Sequence, residues 1–276
     1  GGLVLALVGV VLVAQDVQTY DDGAARGVLA VGGTIAVDGP SLFIWGLVLA
    51  LSIAGVLLFA ERHLDGGVSA FAGQAATVPG TDAETAAIAA NREHTEVYPL
   101  MMFAVFGMML FPAANDLLTM FVGLELLSLP LYLLSGLARR RRLLSQEAAL
   151  KYFLLGAFSS AFFLYGIAFT FGVTGSTSLD RIGALLAAQA LSPTPMQRLA
   201  AALLLVGFAF KVSAVPFHMW TPDAYEGAPA VVTAFMSAGV KAAAFAAFVR
   251  VFMSAFGGLQ PEWEPAVWML SAASMS

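Results

Sequence analysis

The chain has 276 residues, of which 59% are hydrophobic and 11% are charged, and its formal net charge is −5. Soluble domains carry roughly a quarter charged residues, so this composition excludes an ordinary soluble domain and predicts that most of the chain lies in lipid. The lack of cysteine excludes disulfides, thiolate-ligated iron–sulfur clusters and a cysteine nucleophile, and the three histidines lack metal-ligand spacing. No basic stripe interleaved with aromatic residues indicates nucleic acid. We therefore expect no cofactor in this chain and no nucleic-acid partner.

Apolar windows of about 20 residues predict membrane-spanning helices. No segment alternates with the period-2 pattern of a barrel strand, so the predicted fold class is all-α, a polytopic membrane protein. The predicted spans are residues 2–14, 40–60, 97–113, 115–137, 147–173, 198–221 and 228–256, with a further helix beginning at 262. Because the outermost spans are incomplete, we expect the sequence to be a piece of a longer chain.

Two connections have distinct characters. Residues 61–96 are long, polar and rich in small side chains, which predicts a mobile cytoplasmic insert without chemistry of its own, with a short surface helix opening at Thr81 or Asp82. Residues 113–116 predict a tight hairpin between two spans. Asn115 and Asp116 are suited to cap the helix that follows, since their side-chain oxygens accept hydrogen bonds from the first turn.

The distribution of basic residues predicts the orientation. Arg139–Arg142 and Lys151 flank one connection, whereas the connection at 14–38 has only Arg26. By the positive-inside rule the four arginines are cytoplasmic. The run is either purely topogenic or also a docking site for a neighbouring subunit or anionic lipid. Alternation groups the remaining connections, with 60–97 and 221–228 on the side of the arginines and 174–197 and 256–262 on the opposite side.

Three ionisable residues, Glu125, Lys211 and Lys241, stand alone inside long apolar runs. A charge at mid-bilayer costs about 2.5–3.5 kcal/mol even on the lenient insertion scale, so such residues indicate function. The alternative for Glu125 is a neutral carboxylic acid hydrogen-bonded to a neighbouring helix. Proton transfer is the chemistry that buried carboxyl and amino groups favour.

The most specific stretch is GFAFKVSAVPFHMWTPDAYEGAP, residues 207–229. Pro216 lacks a backbone donor and clashes one turn back, so carbonyls beside Lys211 lose their helical partners. A broken helix next to a buried amine is typical of an ion site; the alternative is a simple proline kink with a lysine that extends to the interface. His218 is a secondary candidate, either a proton relay or an ordinary buried histidine bonded to a carbonyl.

These residues carry a family resemblance. GLELLSLPLYLLSG (123–136), EAALKYFLLGAFSSAFFLYGIAFTFGVTGSTSL (147–179) and FKVSAVPFHMWTPDAYEGAPAVVTAFMSAGVKAAAFAAFVRV (210–251) resemble the antiporter-like subunits of bacterial respiratory complex I, the proton-pumping NADH:quinone oxidoreductase, and subunit N in particular. The family has two inverted repeats of five helices, each with a discontinuous helix. Glu125, Lys211 and Lys241 match its glutamate, its broken-helix lysine and the lysine of its next helix.

The resemblance implies a domain organisation and a function. N-terminal helices occupy 1–60, the insert 61–96, the first repeat 97–256 and the start of the second repeat 257–276. The implied protein is a multi-pass, non-redox subunit of an enzyme complex in the bacterial inner (plasma) membrane, which moves protons while other subunits couple NADH oxidation to quinone reduction. Its implied partners are other membrane-arm subunits, lipids and protons.

Two other classes remain open from the sequence. One is a subunit of a multisubunit sodium/proton antiporter or of a membrane-bound hydrogenase, although sodium would call for more carboxylates at membrane depth than Glu125 alone. The other is a passive membrane scaffold, for which the three charged residues would lie on mutually remote, lipid-facing surfaces.

Overall fold

The computed structural model describes residues 1–19, 27–61, 70–71, 80–89, 96–138, 142–190 and 192–276, which are mostly helical. In chain order the α-helices are α1 (Gly2–Thr19), α2 (Gly39–Ala60), α3 (Asp82–Ala89), α4 (Val97–Ala113), α5 (Leu117–Ser135), α6 (Arg142–Thr174), α7 (Leu179–Ala188), α8 (Pro195–Val212), α9 (Trp220–Gly227), α10 (Ala230–Phe235), α11 (Lys241–Arg250) and α12 (Gln260–Met275). Two π-helical turns, Met236–Val240 and Val251–Ala255, make α10 and α11 parts of one continuous helical run.

The helices confirm a multi-pass membrane protein. Among the described residues, five helices are long and apolar enough to cross a membrane: α2, α5, α6, α8 and the run Ala230–Ala255. Helices α1 and α4 are apolar but shorter. The predicted segment 198–221 contains the break that the sequence predicts around Pro216, because α8 ends at Val212 and α9 begins only at Trp220. Helix α6 also begins five residues earlier than predicted, at Arg142.

A β-hairpin precedes α2 where the sequence predicts only a loop. Strands β1 (Gly27–Ala30) and β2 (Ile35–Asp38) pair antiparallel. Strands of four residues are too short to show a convincing period-2 pattern, which is why the sequence does not reveal them. Asp38 ends the second strand and caps α2, because its side chain accepts a hydrogen bond from the Ser41 N–H at 2.9 Å.

Helices α4 and α5 approach each other through two glycines. A Cβ added to Gly107 would overlap the backbone nitrogen of Leu127, and one added to Gly123 would lie 2.9 Å from the Cα of Phe111. The predicted hairpin between these helices is confirmed. Asp116 caps α5 by accepting hydrogen bonds from the first turn. This close contact fixes α5, the helix that carries Glu125.

The connections fall into the two groups that the sequence predicts. At one end of the bundle, Asp116 pairs with Ser178 in a β-bridge, which places the hairpin after α4 beside the start of α7. At the other end, Ala138 pairs with Phe71, and Lys151 forms an ion pair with Asp223 at 2.8 Å. Which end faces the cytoplasm stays a prediction. Three of the four arginines of the run, residues 139–141, lie outside the described residues.

Part of the long insert packs against the bundle. Phe71 is 2% exposed and lies 5.2 Å from the ring of Phe59, centroid to centroid. The expectation of a freely mobile segment is therefore wrong for this residue, because its large apolar ring is removed from water. The predicted surface helix is confirmed as α3. Most of the remaining insert lies outside the described residues.

Arg250 joins three elements at the end of the bundle that carries the β-hairpin. Its guanidinium donates to both carboxylate oxygens of Asp38, at 2.9 and 2.8 Å, to Ser41 Oγ at 2.8 Å and to the carbonyl oxygen of Pro112 at 2.5 Å. Burial acts to raise the pKa of Asp38, but the hydrogen bonds from Arg250 and Ser41 outweigh it, and the pKa lies below its ordinary value. These bonds therefore form a clamp that holds β2, α2 and α4 to α11.

We expect Asp38→Asn to destabilise the assembled protein, because asparagine still caps α2 but removes the charge that holds Arg250. The loss should lie between about 1 kcal/mol for an exposed ion pair and about 3–5 kcal/mol for a fully buried one. The stabilisation should be fully present above the ordinary aspartate pKa of about 3.9 and be lost as pH falls through the lowered pKa. Thermal unfolding of the purified complex measures it, with Asp82→Asn on the exposed α3 as the control. Equal stability of Asp38→Asn and wild type would contradict the clamp.

We expect cysteines at Leu143 and Ser192 to react with an impermeant thiol reagent from opposite sides of the membrane. Both positions are exposed and lie at opposite ends of the bundle, and this chain contains no cysteine of its own. Leu143 should react from the cytoplasmic side. Ser52→Cys, buried in α2, is the control that should react from neither side. Reaction of Leu143→Cys and Ser192→Cys from one side would contradict this topology.

Candidate functional site

Lys211 is buried in the last turn of α8 against one face of α5. Glu125, Ser128 and Tyr132 lie along that face, because residues three and seven apart share one side of a helix. Lys211 is 3% exposed, and its Nζ donates a hydrogen bond to Ser128 Oγ at 2.6 Å. The Ser128 hydroxyl in turn donates to the carbonyl oxygen of Leu124. The amine is therefore held by a hydroxyl rather than by a carboxylate.

Two aromatic rings complete the surroundings of this amine. Lys211 Nζ lies 5.9 Å from the ring centroid of Tyr132 and 5.9 Å from that of Tyr152. The two rings meet edge to face, with 4.5 Å between centroids and 84° between planes. Aromatic faces attract a cation and offer it no proton acceptor, so they support a charged amine without neutralising it.

Three buried oxygen atoms near Lys211 have no hydrogen-bond partner among the described residues. They are Glu125 Oε1 and the hydroxyls of Tyr132 and Tyr152. An unpartnered buried polar group costs about 1–3 kcal/mol, and bound water is the usual way to satisfy it. The surroundings of Lys211 thus have the polarity that a hydrated path requires.

Helix α8 ends immediately after Lys211 in a left-handed cap. The N–H of Ser213 donates to the carbonyl oxygen of Phe210 at 3.1 Å, and the N–H of Ala214 donates to that of Ala209 at 2.8 Å. These two bonds form a Schellman motif, with Ser213 in the αL conformation. The carbonyl of Val212 is then free to bind a side chain. Pro216 lies in the break, as the sequence predicts.

Lys241 binds the carbonyl that the break sets free. Its Nζ donates to the oxygen of Val212 at 3.0 Å and to Ser213 Oγ at 2.6 Å. The π-helical turn Met236–Val240 immediately precedes this lysine, and π-helical turns often occur at functional sites. The sequence around Lys241 gives no reason for an amine there. The structure gives one, since the lysine closes the end of α8.

An aromatic stack runs between the two lysines. Tyr152, which neighbours Lys211, stacks on Trp220 with 4.5 Å between centroids and 7° between planes. Lys241 Nζ lies 5.9 Å from the rings of both Trp220 and Tyr225. Burial raises the pKa of Tyr225, in α9, to about 12, so its phenol is neutral at physiological pH. The Lys211 amine is therefore next to Tyr152 and the Lys241 amine next to Trp220, the two rings that stack on each other.

The structure brings Glu125, Lys211 and Lys241 into one region and leaves His218 at its edge. His218 is exposed in the turn between α8 and α9, so the alternative of a buried histidine is wrong. It lies after the break that the sequence predicts, two residues before α9 begins. Glu125 is partly buried and does not make the hydrogen bond that holds Lys211.

Several contacts of the site lie outside the sequence predictions. Ser128 lies three positions after Glu125, and that spacing is a usable signal, since it places both on one helix face. Tyr152 and Trp220 give no such signal, because aromatic residues in an apolar helix are usually packing residues. The sequence predicts only that carbonyls beside Lys211 lose their helical partners, whereas in the structure the hydroxyl of Ser213 also contacts Lys241.

Comparison with known proteins gives consistent matches. A family model described as NADH:quinone oxidoreductase/Mrp antiporter, TM, matches residues 114–276. NADH-quinone oxidoreductase subunit N of a Nocardioides species is 61% identical over 274 residues, which cover 99% of this chain and 51% of that protein. The chain spans about half the length of the curated relatives it matches.

Two solved structures are similar in fold. A chain of respiratory complex I from Thermus thermophilus with bound aureothin matches with a TM-score of 0.64 and 37% identity, over 89% of this chain and 46% of that one. A chain of the Mrp complex from a Dietzia species matches with a TM-score of 0.70 and 22% identity, over 94% and 43% of the two chains. The second similarity shows the fold alone.

Proposed function

Because the chain belongs to the NADH:quinone oxidoreductase/Mrp antiporter transmembrane family, we propose that it translocates protons as part of subunit N of a bacterial respiratory complex I. The site is the region of Glu125, Lys211 and Lys241 in the inner membrane. Other membrane-arm subunits are its partners, and NADH oxidation and quinone reduction take place in other chains. This chain supplies proton transfer and holds no cofactor.

The burial of Lys211 beside a broken helix is the observation that carries the proposal. A lysine that serves only as a structural ion pair is expected to contact a carboxylate, since a buried charge is otherwise costly. Lys211 instead binds Ser128, and the nearby Glu125 has a buried oxygen without a partner among the described residues. This separation leaves the carboxylate free to act on the amine from a distance that can change.

The size of the electrostatic effect is sufficient for a pump step. With an effective dielectric constant near 20, opposite charges attract by about 4 kcal/mol at 4 Å and by about 1.7 kcal/mol at 10 Å. The difference matches the cost of about 2.3 kcal/mol for moving one charge against 100 mV. A shift of a few ångströms between Glu125 and Lys211 therefore changes the proton affinity of the amine by a useful amount.

The proposed order of transfer is from the Glu125 region to Lys211 and then to Lys241. The orphaned hydroxyls of Tyr132 and Tyr152 border the first step. The second step passes the break between α8 and α9, where the carbonyl of Val212 binds Lys241. Repulsion between two charged amines favours their occupation in sequence rather than together.

Two observations favour this function over the alternatives. The identity of 37% with the complex I chain carries more weight than the 22% with the Mrp chain, although both share the fold. For a passive scaffold, the charged residues would lie on remote, lipid-facing surfaces. Lys211 is instead among the most buried polar residues described, and Lys241 binds the end of the same helix.

We expect Lys211→Arg to assemble normally and to show strongly reduced proton translocation. Arginine keeps the positive charge, but its pKa above about 12 prevents release of a proton during turnover. Lys211→Met should be at least as impaired. The measurement is acidification of proteoliposomes driven by NADH oxidation, normalised to assembled complex. Lys151→Arg, at an exposed lysine, is the matched control and should pump normally. Full pumping by Lys211→Arg would remove Lys211 from the proton path.

We expect Glu125→Gln to impair pumping far more than assembly, because glutamine keeps the shape of the side chain and removes the charge that acts on Lys211. Glu125→Asp should retain part of the activity. The ratio of protons moved to NADH oxidised measures the effect in the same proteoliposomes. Glu147→Gln, at an exposed glutamate of α6, is the control. A wild-type ratio in assembled Glu125→Gln would make Glu125 a structural residue.

A further inference from the structure

We propose that Ser213 is a positioning residue whose hydroxyl holds the Lys241 amine at the break between α8 and α9, in both the charged and the neutral state of that amine. The inference rests on the proposed function, because it assigns Lys241 a proton to exchange. The end of α8 needs the backbone of Ser213 but not its hydroxyl.

The backbone of Ser213 gives the first reason. Its φ is 61° and its ψ is 41°, in the left-handed region. Side chains of L-residues disfavour this region, and glycine is the usual residue at this position of a Schellman motif. Among the described residues other than glycine, only Val31 and Ser213 have a positive φ. The backbone conformation at this cap favours glycine, so the serine side chain needs a reason other than the cap itself.

The contacts of the hydroxyl give the second reason. Ser213 Oγ accepts a hydrogen bond from Lys241 Nζ at 2.6 Å and another from Thr221 Oγ1 at 2.8 Å. Thr221 belongs to α9, so one oxygen atom connects the end of α8, the start of α9 and the lysine of α11. The bond from Thr221 spans the break, and the bond from Lys241 joins the break to the next helical run.

Donor and acceptor chemistry distinguishes this hydroxyl from the neighbouring carbonyl. The oxygen of Val212 only accepts, so it serves only the N–H groups of Lys241. A hydroxyl both accepts and donates, so Ser213 accepts from the charged amine and turns its own proton towards the nitrogen lone pair of the neutral amine. The amine thus keeps a partner on each side of a proton exchange. Without the hydroxyl, the neutral amine loses the donor that binds its lone pair.

A mainly apolar cavity lies next to Ser213. Its volume is about 200 Å³, and it lies between α8, α11 and α12. Ser271 and Ser274 add hydroxyls to its wall.

The test compares Ser213→Gly with Ser213→Ala in the assembled complex. Both variants remove the hydroxyl, whereas only glycine relieves the disfavoured backbone conformation. We expect each to reduce proton translocation per assembled complex about tenfold, the size of effect that a hydrogen bond to a charged group supports. We expect Ser213→Gly to unfold at a higher temperature than Ser213→Ala. Ser237→Ala, at an exposed serine of the same helical run as Lys241, is the matched control and should pump normally.

A second arm tests whether Ser213 acts through Lys241. Adding Ser213→Gly to Lys241→Met should cause no further loss of pumping, since the amine that the hydroxyl positions is already absent. A further loss in the double variant would overturn the inference. Normal pumping by Ser213→Gly with impaired Ser213→Ala would also overturn it, because backbone conformation alone would then explain the effect.

Different results would contradict the role of Ser213 and the proposed role of Lys241 in proton translocation. If Lys241→Met impairs pumping while both Ser213 variants pump normally, the role of Ser213 is wrong and the proposed function stands. If Lys241→Met pumps at the wild-type rate, Lys241 is not a proton site, and the proposed path itself is wrong at that residue.

Discussion

The termination of α8 one residue after Lys211 is the constraint on which the site depends. A continuous helix would use the carbonyl of Val212 internally and would carry the chain past the membrane interior. The Schellman motif at Ser213 stops the helix and exposes that carbonyl. Lys241 from the next helical run binds it. One left-handed residue thus ends the helix beside the first lysine and frees the carbonyl that binds the second.

Packing around the break turns this local feature into a defined site. The indole of Trp220 donates to the carbonyl oxygen of Phe210 at 3.0 Å and so fastens the start of α9 to the end of α8. The same ring stacks on Tyr152 of α6. Close contact between α4 and α5 holds the face that carries Ser128. The lysines are therefore positioned by closely packed helices, and hydroxyl groups and aromatic rings surround them.

The sequence predicts the membrane fold. It also identifies Glu125, Lys211 and Lys241 as candidate site residues, because an isolated charge in an apolar run is a strong signal. It also predicts a break near Pro216. It does not predict that the break begins at Ser213, because the cap depends on a left-handed residue that is not glycine. Tyr152 is equally hidden, since its contact with Lys211 depends on how α6 packs. Phe71 shows the same limit, because an apolar ring in a polar insert finds its partner only in three dimensions.

The clamp formed by Arg250 has a mechanical consequence for Lys241. The two residues lie nine positions apart on α11, and at about 100° per residue they point to opposite sides of the helix. Arg250 is bonded to Asp38 and Pro112 on one side, while Lys241 binds the end of α8 on the other. The helix is thus anchored against rotation about its axis. Movement of the Lys241 amine therefore comes from rotation about the bonds of its four-carbon side chain and not from rotation of α11.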